Sequence, residues 1–378
     1  MIYAPDQTST TIRTMTATGR VLRRMHLDGP LLAALGAVVA FGLFVLYSAT
    51  GENLAQWLNQ LERLALALVT MVALAQVPPA WLRRISPLLY GVGVVLLLAV
   101  AVHGTASNGA QRWLDLKIVR FQPSEIMKLA VPMMCAWYLH ERPLPPRLRD
   151  VLVLLVIVLL PSLLIAKQPD LGTALLVAAA GLLVLFLAGM STVVIVLGVA
   201  AIGAAVPVAW HFMHDYQRQR LLTFMDPSTD PLGAGYHSIQ SQIAIGSGGI
   251  FGKGWMNGSQ AQLEFLPERS TDFIFAVIGE ELGLLGQAFL IALYLVVIGR
   301  ALYMAAEAQD TYARLVCGSF ALTFFVYAFV NTGMVSGILP VVGVPLPLVS
   351  YGGTAMVTLL ASFGVLMSLN RHRKLVGA

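Results

Sequence analysis

The sequence predicts an all-α polytopic integral membrane protein of about ten transmembrane helices, with one long structured outer loop between the seventh and eighth. Three observations carry that prediction. The chain is 57% hydrophobic and only 11% charged, whereas a soluble domain carries about 25% charged residues. Apolar runs long enough to span a bilayer, about 20 residues each, recur along the chain. Lys and Arg gather in alternate connections, as they do on the cytoplasmic side of membrane proteins.

The runs lie near 31–49, 61–77, 86–103, 123–140, 150–166, 171–188, 191–213, 273–299, 312–335 and 346–369. The last two are broken by Gly and Pro, which neighbouring helices can accommodate. With the N-terminus placed inside, one side receives Arg13, Arg20, Arg23, Arg24, Arg83, Arg84, Arg142, Arg147, Arg149, Arg300, Arg314 and the tail Arg371-His372-Arg373-Lys374. The implied organisation is a cytoplasmic tail over 1–28, a single transmembrane domain over 29–370 that includes the outer segment 214–271, and a basic tail over 371–378. The net charge of +5 belongs to loops. No basic cluster is interleaved with aromatics, so nucleic acid is set aside. Cys135 and Cys317 fall in separate apolar runs and read as buried thiols, and no Cys/His spacing suggests zinc.

Two outer segments break the charge rule. The segment 104–122 holds Arg112, Lys117 and Arg120, and reads as a basic loop. The segment 214–271 is far longer than a connection requires. It is rich in Gly, Ser and Gln, yet contains Ile243, Ile245, Ile250, Phe251, Trp255, Leu263 and Phe265. It is expected to fold and lie on the membrane surface, its glycines bringing backbone close to a ligand or partner. An anionic ligand explains basic outer loops; the plainer reading is that long loops translocate regardless of charge.

Charges within membrane helices are costly and point to function. In Gln122-Pro123-Ser124-Glu125-Ile126-Met127-Lys128, Pro123 suits a first turn, and Glu125 and Lys128 share a helix face. They either brace the bundle or line an outward cavity for an anionic headgroup. In Lys167-Gln168-Pro169-Asp170-Leu171-Gly172-Thr173, a tight turn explains Pro and Gly but not Lys167 or Asp170. In Leu266-Pro267-Glu268-Arg269-Ser270-Thr271-Asp272-Phe273, followed by Gly279-Glu280-Glu281-Leu282-Gly283, Thr271 or Asp272 reads as an N-cap. At a helix start Asp272 stays ionised and can accept a hydroxyl proton. His211 and His214 read as interfacial rather than as a metal pair. Phe320, Phe324, Phe325, Tyr327 and Phe329 give the ninth run more aromatics than one lipid-facing stripe needs; helix packing or a partner accounts for them.

Several strings together resemble one family. They are Trp113-Leu114-Asp115, Phe121-Gln122-Pro123-Ser124-Glu125, Gln168-Pro169-Asp170-Leu171-Gly172-Thr173, Asp226-Pro227 through Asp230-Pro231-Leu232-Gly233, Gly246-Ser247-Gly248-Gly249, Gly252-Lys253-Gly254-Trp255 and Leu266-Pro267-Glu268-Arg269. The chain then carries Leu339-Pro340-Val341-Val342-Gly343-Val344-Pro345-Leu346-Pro347 and Ser350-Tyr351-Gly352-Gly353. They resemble the SEDS family (shape, elongation, division and sporulation), and its RodA-type elongation branch in particular, from about residue 28 to the C-terminus. Ser270 stands where that family has His, and Gln242 where Lys is usual.

The resemblance implies a peptidoglycan glycosyltransferase of the bacterial inner membrane, with both termini cytoplasmic and the active site facing the periplasm. Lipid II would be donor and acceptor, undecaprenyl diphosphate the leaving group, and the anomeric centre would invert from alpha to beta. Asp272 matches the family's essential aspartate and is the expected catalytic base. Substrate contacts are expected from Arg112, Glu125, Lys128, Asp170, Arg218, Arg220, Lys253, Glu268, Arg269 and Thr271. The leaving pyrophosphate needs neutralising by these cations or by a divalent ion, Mg or Mn; Glu125, Asp170 and Asp272 are candidate ligands, although no sequence spacing shows a metal site. A class B penicillin-binding protein, other rod-complex membrane proteins and membrane lipid are the implied partners.

Two other classes use the same features. A lipid II flippase would need the cavity and charges without bond formation, but predicts paired half-repeats, which the sequence lacks. A scaffolding subunit leaves Glu125, Lys128 and Asp272 without a purpose. The topology is tested by Ser228→Cys: a membrane-impermeant thiol reagent labels it in intact cells if the loop is outside, and labelling only after permeabilisation overturns the orientation.

Overall fold

Asp28 opens the first helix, α1 (Gly29–Ala49), by accepting from the Leu31 amide at 2.9 Å, with Pro30 in the first turn. That cap meets one of the orphan donors every helix start carries. The computed structural model describes residues 27–103, 105–107, 110–115, 120–190, 234–263, 265–266 and 268–371, with isolated positions between 196 and 222. The helices that follow are α2 (Leu54–Gln76), α3 (Pro79–His103), α4 (Pro123–Leu139), α5 (Leu148–Lys167), α6 (Leu171–Leu187), α7 (Ala234–Gly248), α8 (Ser259–Gln262), α9 (Ile274–Ala306), α10 (Thr311–Val335) and α11 (Gly353–Arg371). Seven of them are long and apolar enough to cross a membrane, and α6 is a shorter apolar helix. The chain is a multi-pass membrane protein. The predicted run 191–213 lies outside the described residues except at isolated positions.

Contacts sort the helix ends into two layers. At one end Arg300 grips Asp28 through Nε and a terminal nitrogen (3.0 and 2.7 Å). Arg142 pairs with Asp150 at 2.5 Å, and Arg83 stands 3.7 Å from Asp310. At the other end Ser48 Oγ donates to Glu281 Oε1 at 2.5 Å, and Gln168 Nε2 donates to the Leu97 carbonyl at 3.0 Å. The chain therefore alternates direction, and the arginines at the start of α3, after α4, near the end of α9 and at the start of α10 share one end. Helices α10 and α11 are the most buried of the long helices. Their core is aromatic: Phe324 meets Tyr294 of α9 and Phe363 of α11 edge-on, at centroid distances of 5.4 and 5.3 Å. Most of the ninth run's aromatic surplus is thus core; Phe325 and Phe329 remain at the surface, stacked at 5.9 Å.

Several expectations need correction. The segment 104–122 is not a plain loop: β1 (Thr105–Ser107), β2 (Ala110–Asp115) and β3 (Arg120–Phe121) pair antiparallel in that order. The segment 214–271 contains α7, which packs on α9 and α10 through His237 stacked on Phe273 (5.6 Å) and Ser241 Oγ donating to the Val335 carbonyl (2.9 Å). The run at 346–369 begins as irregular backbone and becomes helical only at Gly353. The eighth run is broken at Gly283, whose φ of 67° and ψ of −164° interrupt α9. Neither Thr271 nor Asp272 caps that helix; Phe273 occupies the cap position and makes no side-chain cap bond.

The break at Gly283 is sealed by the glycine-rich strand of loop before α8. Lys253 and Gly254 amides donate to the Glu280 and Glu281 carbonyls (2.9 and 3.0 Å). In return the Leu284 and Leu285 amides donate to Gly249 and Ile250 (3.0 and 3.2 Å). A side chain at Gly252 or Gly283 would overlap this backbone, and both have positive φ, so glycine is required at each.

Close helix contact elsewhere also needs glycine. A methyl at Gly364 of α11 would meet the Met71 backbone of α2, with its carbonyl carbon at 3.0 Å, whereas one at Gly36 of α1 would meet nothing within 4 Å. Gly364→Ala is expected to destabilise the purified protein by about 1–3 kcal/mol, read as a lowered Tm. Gly36→Ala should be neutral or raise it by up to about 1 kcal/mol.

Candidate functional site

The turn that carries Asp272 runs from Glu268 to Phe273 and has no regular ladder of its own. Its three central carbonyls are met from outside. The Tyr351 amide donates to Ser270 at 2.8 Å, Ser350 Oγ donates to Thr271, and Asn331 Nδ2 donates to Asp272 at 2.8 Å. Beneath the turn runs the irregular segment 339–352, which is buried at Val344, Leu346, Leu348, Val349 and Ser350. Its own carbonyls are satisfied by side chains: Val344 by Asn331 Nδ2 (2.7 Å), Pro347 by the Tyr294 hydroxyl (2.7 Å) and Ser350 by Gln60 Nε2 (3.2 Å). Gly343 has a φ of 71°, and a Cβ there would stand 3.4 Å from Asp272 Oδ2. The carboxylate therefore lies against a backbone with no side chain at that point, and Asp272 as a whole is a partly exposed residue.

The neighbours of Asp272 are ordered by local bonds. Thr271 Oγ1 donates to Glu268 Oε2 at 2.6 Å, and Glu268 adopts a positive φ of 52°. Arg269 donates to the Ala261 carbonyl of α8, and one of its terminal nitrogens would be 3.2 Å from a Cβ at Gly51. Arg269 thus ties the turn to α8 and to the connection after α1.

Other predicted site residues have structural partners. Glu125 and Lys128 form an ion pair at 2.6 Å, each only 7% exposed. Glu125 Oε2 also accepts from Thr358 Oγ1 of α11 (2.9 Å), and the Lys128 ammonium stands 5.2 Å from the Tyr327 ring centroid of α10. The pair joins three helices. Asp170, which turn geometry alone was not expected to require, is the N-cap of α6: its carboxylate accepts from the Thr173 amide (3.2 Å) and from Gln122 Nε2 (3.0 Å). Lys253 Nζ binds Glu280 (2.7 Å) and Ser259 Oγ (2.9 Å). The fully buried Glu280 carboxylate accepts in addition from the Gln260 amide at 2.9 Å and the Ala261 amide at 3.3 Å. Lys253 is therefore part of a cap on α8. Arg218 donates to the Trp210 and His211 carbonyls, both at 2.9 Å. Arg112 lies on β2, whose side chains there are outside the described residues, and Arg220 is outside them altogether. The carboxylates Glu125, Asp170 and Asp272 do not converge, and among the described residues no group of three His, Cys, Asp or Glu side chains could hold a metal ion.

Three participants escaped the sequence reading. Asn331 and Gln60 are buried amides in helices, and Arg63 of α2 lies over the Tyr351 ring at 4.6 Å. The signal was present for Arg63 and Asn331, since polar and charged residues within apolar runs are the kind that merit a functional reading; Gln60 lies just before the second run.

The family model for the cell cycle proteins FTSW_RODA_SPOVE matches residues 25–375. The chain is 54% identical over 354 residues to the peptidoglycan glycosyltransferase MrdB of Escherichia coli strain K12, covering 93% of this chain and 96% of the relative. It is 39% identical over 298 residues to the MrdB of Helicobacter pylori strain J99, covering 76% of each. Among solved structures, a chain of a peptidoglycan synthase complex that coordinates polymerization and crosslinking superposes with a TM-score of 0.80 at 31% identity, covering 92% of this chain and 99% of that one. The rod shape determining protein RodA of Thermus thermophilus superposes with a TM-score of 0.70 at 29% identity, over 92% and 97% of the two chains. The match spans nearly the whole chain and its fold, and the protein belongs to the FtsW/RodA/SpoVE family, the SEDS proteins.

Proposed function

We propose that this protein is the peptidoglycan glycosyltransferase of a cell-elongation machinery, polymerising lipid II into glycan strands with Asp272 as its catalytic base. The observation that carries the catalytic assignment is the clamped turn. Asp272 is a partly exposed residue whose turn is fixed at three consecutive carbonyls, at one end of a predominantly apolar bundle. That boundary is where a lipid-linked sugar parts from its tail. The Asp272 carboxylate takes the proton of the acceptor sugar hydroxyl. The acceptor oxygen forms a bond to the donor's anomeric carbon as the bond to the pyrophosphate oxygen breaks, and undecaprenyl diphosphate leaves. Attack opposite the leaving group inverts the centre from alpha to beta.

Arg269 is the cation fixed closest in sequence to Asp272 and is the first candidate to neutralise charge developing on the pyrophosphate. Arg63, held over Tyr351, is the second. Lys253 is a weaker candidate because Glu280 already pairs with it. A divalent cation, Mg or Mn, would serve the same end. Thr271 and Glu268 shape the turn rather than the charge. Orientation follows from the arginines opposite Asp272: that end is cytoplasmic, both termini lie there, and the site faces the periplasm of the inner membrane. A class B penicillin-binding protein that cross-links the product is the proposed partner, with the exposed Phe325 and Phe329 pair on α10 a candidate contact.

Asp272→Asn keeps the shape of the side chain and removes its capacity to take a proton. General-base assistance contributes about 10²–10⁴-fold, so glycan synthesis from labelled lipid II by the purified variant is expected to fall by that factor, with lipid II binding and Tm retained. A variant keeping more than about a tenth of the wild-type rate would sink the assignment; one that lost lipid II binding would make Asp272 a substrate or metal ligand instead.

Glu125 has a different signature. Glu125→Gln leaves the buried Lys128 ammonium without its counter-ion, and losing one partner of such a pair costs about 3–5 kcal/mol. Tm is therefore expected to fall with activity if bracing is the whole role. Activity lost well beyond the fall in folded protein would instead support a polar cavity lined by the pair.

A further inference from the structure

Asn331 is fully buried near the end of α10, with none of its side chain exposed. Both of its contacts are backbone carbonyls, Asp272 at 2.8 Å and Val344 at 2.7 Å. Carbonyls only accept, so the amide nitrogen must be the atom between them, and the chemistry of the neighbours fixes the orientation of the side chain. The remaining Oδ1 is buried and has no hydrogen-bond partner among the described residues. Burying a polar amide costs free energy that an apolar side chain of the same size would not. What the asparagine supplies in exchange is a two-pronged donor. One prong holds the residue that carries the proposed base; the other holds the loop residue next to Gly343, against which that carboxylate lies.

We propose that Asn331 is a positioning residue for glycosyl transfer, its amide bridging the Asp272 and Val344 carbonyls so that the carboxylate is set against the Gly343 backbone. The proposal rests on Asp272 being the base. Ser350 and Tyr351 hold the two preceding carbonyls of the turn, but neither reaches the carbonyl of Asp272 itself. Without Asn331 the turn keeps its attachment at 270 and 271 and loses the donor it shares with the Val344 carbonyl. Its position relative to Gly343 is then no longer set by a shared donor. A displacement on the order of 1 Å in a reacting group costs up to about 100-fold in rate.

The fold offers a matched control. Tyr294 of α9 donates through its hydroxyl to the Pro347 carbonyl at 2.7 Å. It is an equally buried side-chain donor to the same irregular segment, and no hydrogen bond joins it to the Asp272 turn. Tyr294→Phe removes only that bond. If holding the segment were the whole role of Asn331, both substitutions would act alike.

The test is polymerisation of lipid II by the purified full-length protein at varied substrate concentration, with Tm measured on the same preparations. Asn331→Leu is expected to lower kcat by about 30- to 100-fold, with KM within about twofold. Tyr294→Phe, at a comparable loss of Tm, should lower kcat by less than about threefold. If Asn331→Leu does not fold, Asn331→Ala, which removes both donors and adds no bulk, is read against the same expectations. Wild-type kcat in the folded Asn331 variant overturns the proposal, as do kcat losses that track Tm equally in both positions. Asp272→Asn, run in parallel, separates the two readings. An active Asp272→Asn removes the base and this proposal together. An inactive Asp272→Asn beside a fully active Asn331 variant removes this proposal alone.

Discussion

Irregular backbone inside a membrane bundle must find every hydrogen bond within the protein, and the segment 339–352 imposes that demand on everything around it. Where the segment is buried, each unsatisfied amide or carbonyl costs several kcal/mol. The segment answers with side chains recruited from three helices: Asn331, Tyr294 and Gln60 each donate to one of its carbonyls. Ser350 closes it internally by accepting from the Leu346 amide at 2.8 Å. These polar groups would be liabilities in helices that faced only lipid or each other. They are tolerated because each has a carbonyl to meet. The resulting network is rigid in a way an apolar contact is not, since hydrogen bonds fix direction as well as distance.

A second break, at Gly283, is solved by different means. There the orphaned groups of α9 pair with loop backbone from 249–254, and the match is reciprocal. The two adjacent carboxylates complete the joint. Glu280 gathers Lys253, Ser259 and two amides of α8, while Glu281 accepts from Ser48 of α1. Trp255 then stacks on Phe44 of α1 at 4.7 Å. The Asp272 turn lies between these two constructions, with 339–352 on one side and the sealed break of α9 on the other. A loop residue is thereby held by parts of the chain as rigid as a helix core.

What the sequence disclosed followed from how strongly each feature depends on local chemistry. Apolar runs of spanning length and the Lys/Arg bias were legible because the bilayer imposes them segment by segment. Boundaries were poorer where the first turns are polar. The helix α2 begins at Leu54 behind an Asn53 cap, ahead of the first continuous apolar residues, which left Gln60 outside the run, whereas Arg63 stood inside it as a single charge among apolar neighbours. The helix at Ala234–Gly248 was hidden by its Gly, Ser and Gln content, since only tertiary packing against α9 and α10 makes such a composition helical. Asp170 shows the reverse error. Its role as a cap was written in the spacing Asp170 to Thr173, but the neighbouring Pro and Gly had already accounted for the turn. Lys253 and Glu280 are far apart in sequence, and no local pattern could have paired them.

The distribution of carboxylates at this end bears on the catalytic assignment independently of the family. Glu125, Asp170, Glu280 and Glu281 are all nearly inaccessible, and each is satisfied by a named donor in another part of the fold. A substrate hydroxyl could reach none of them without displacing a bond that holds helices together. Glu52, Glu62 and Glu268 are exposed, but none has a bond from a buried side chain to its backbone among those described. A base must satisfy both conditions at once, because an unreachable group cannot take the proton and an unfixed one loses the advantage of prior orientation. Asp272 is a partly exposed residue anchored at its backbone by a fully buried asparagine. That combination, more than its nearness to the start of α9, is the physical argument for its role.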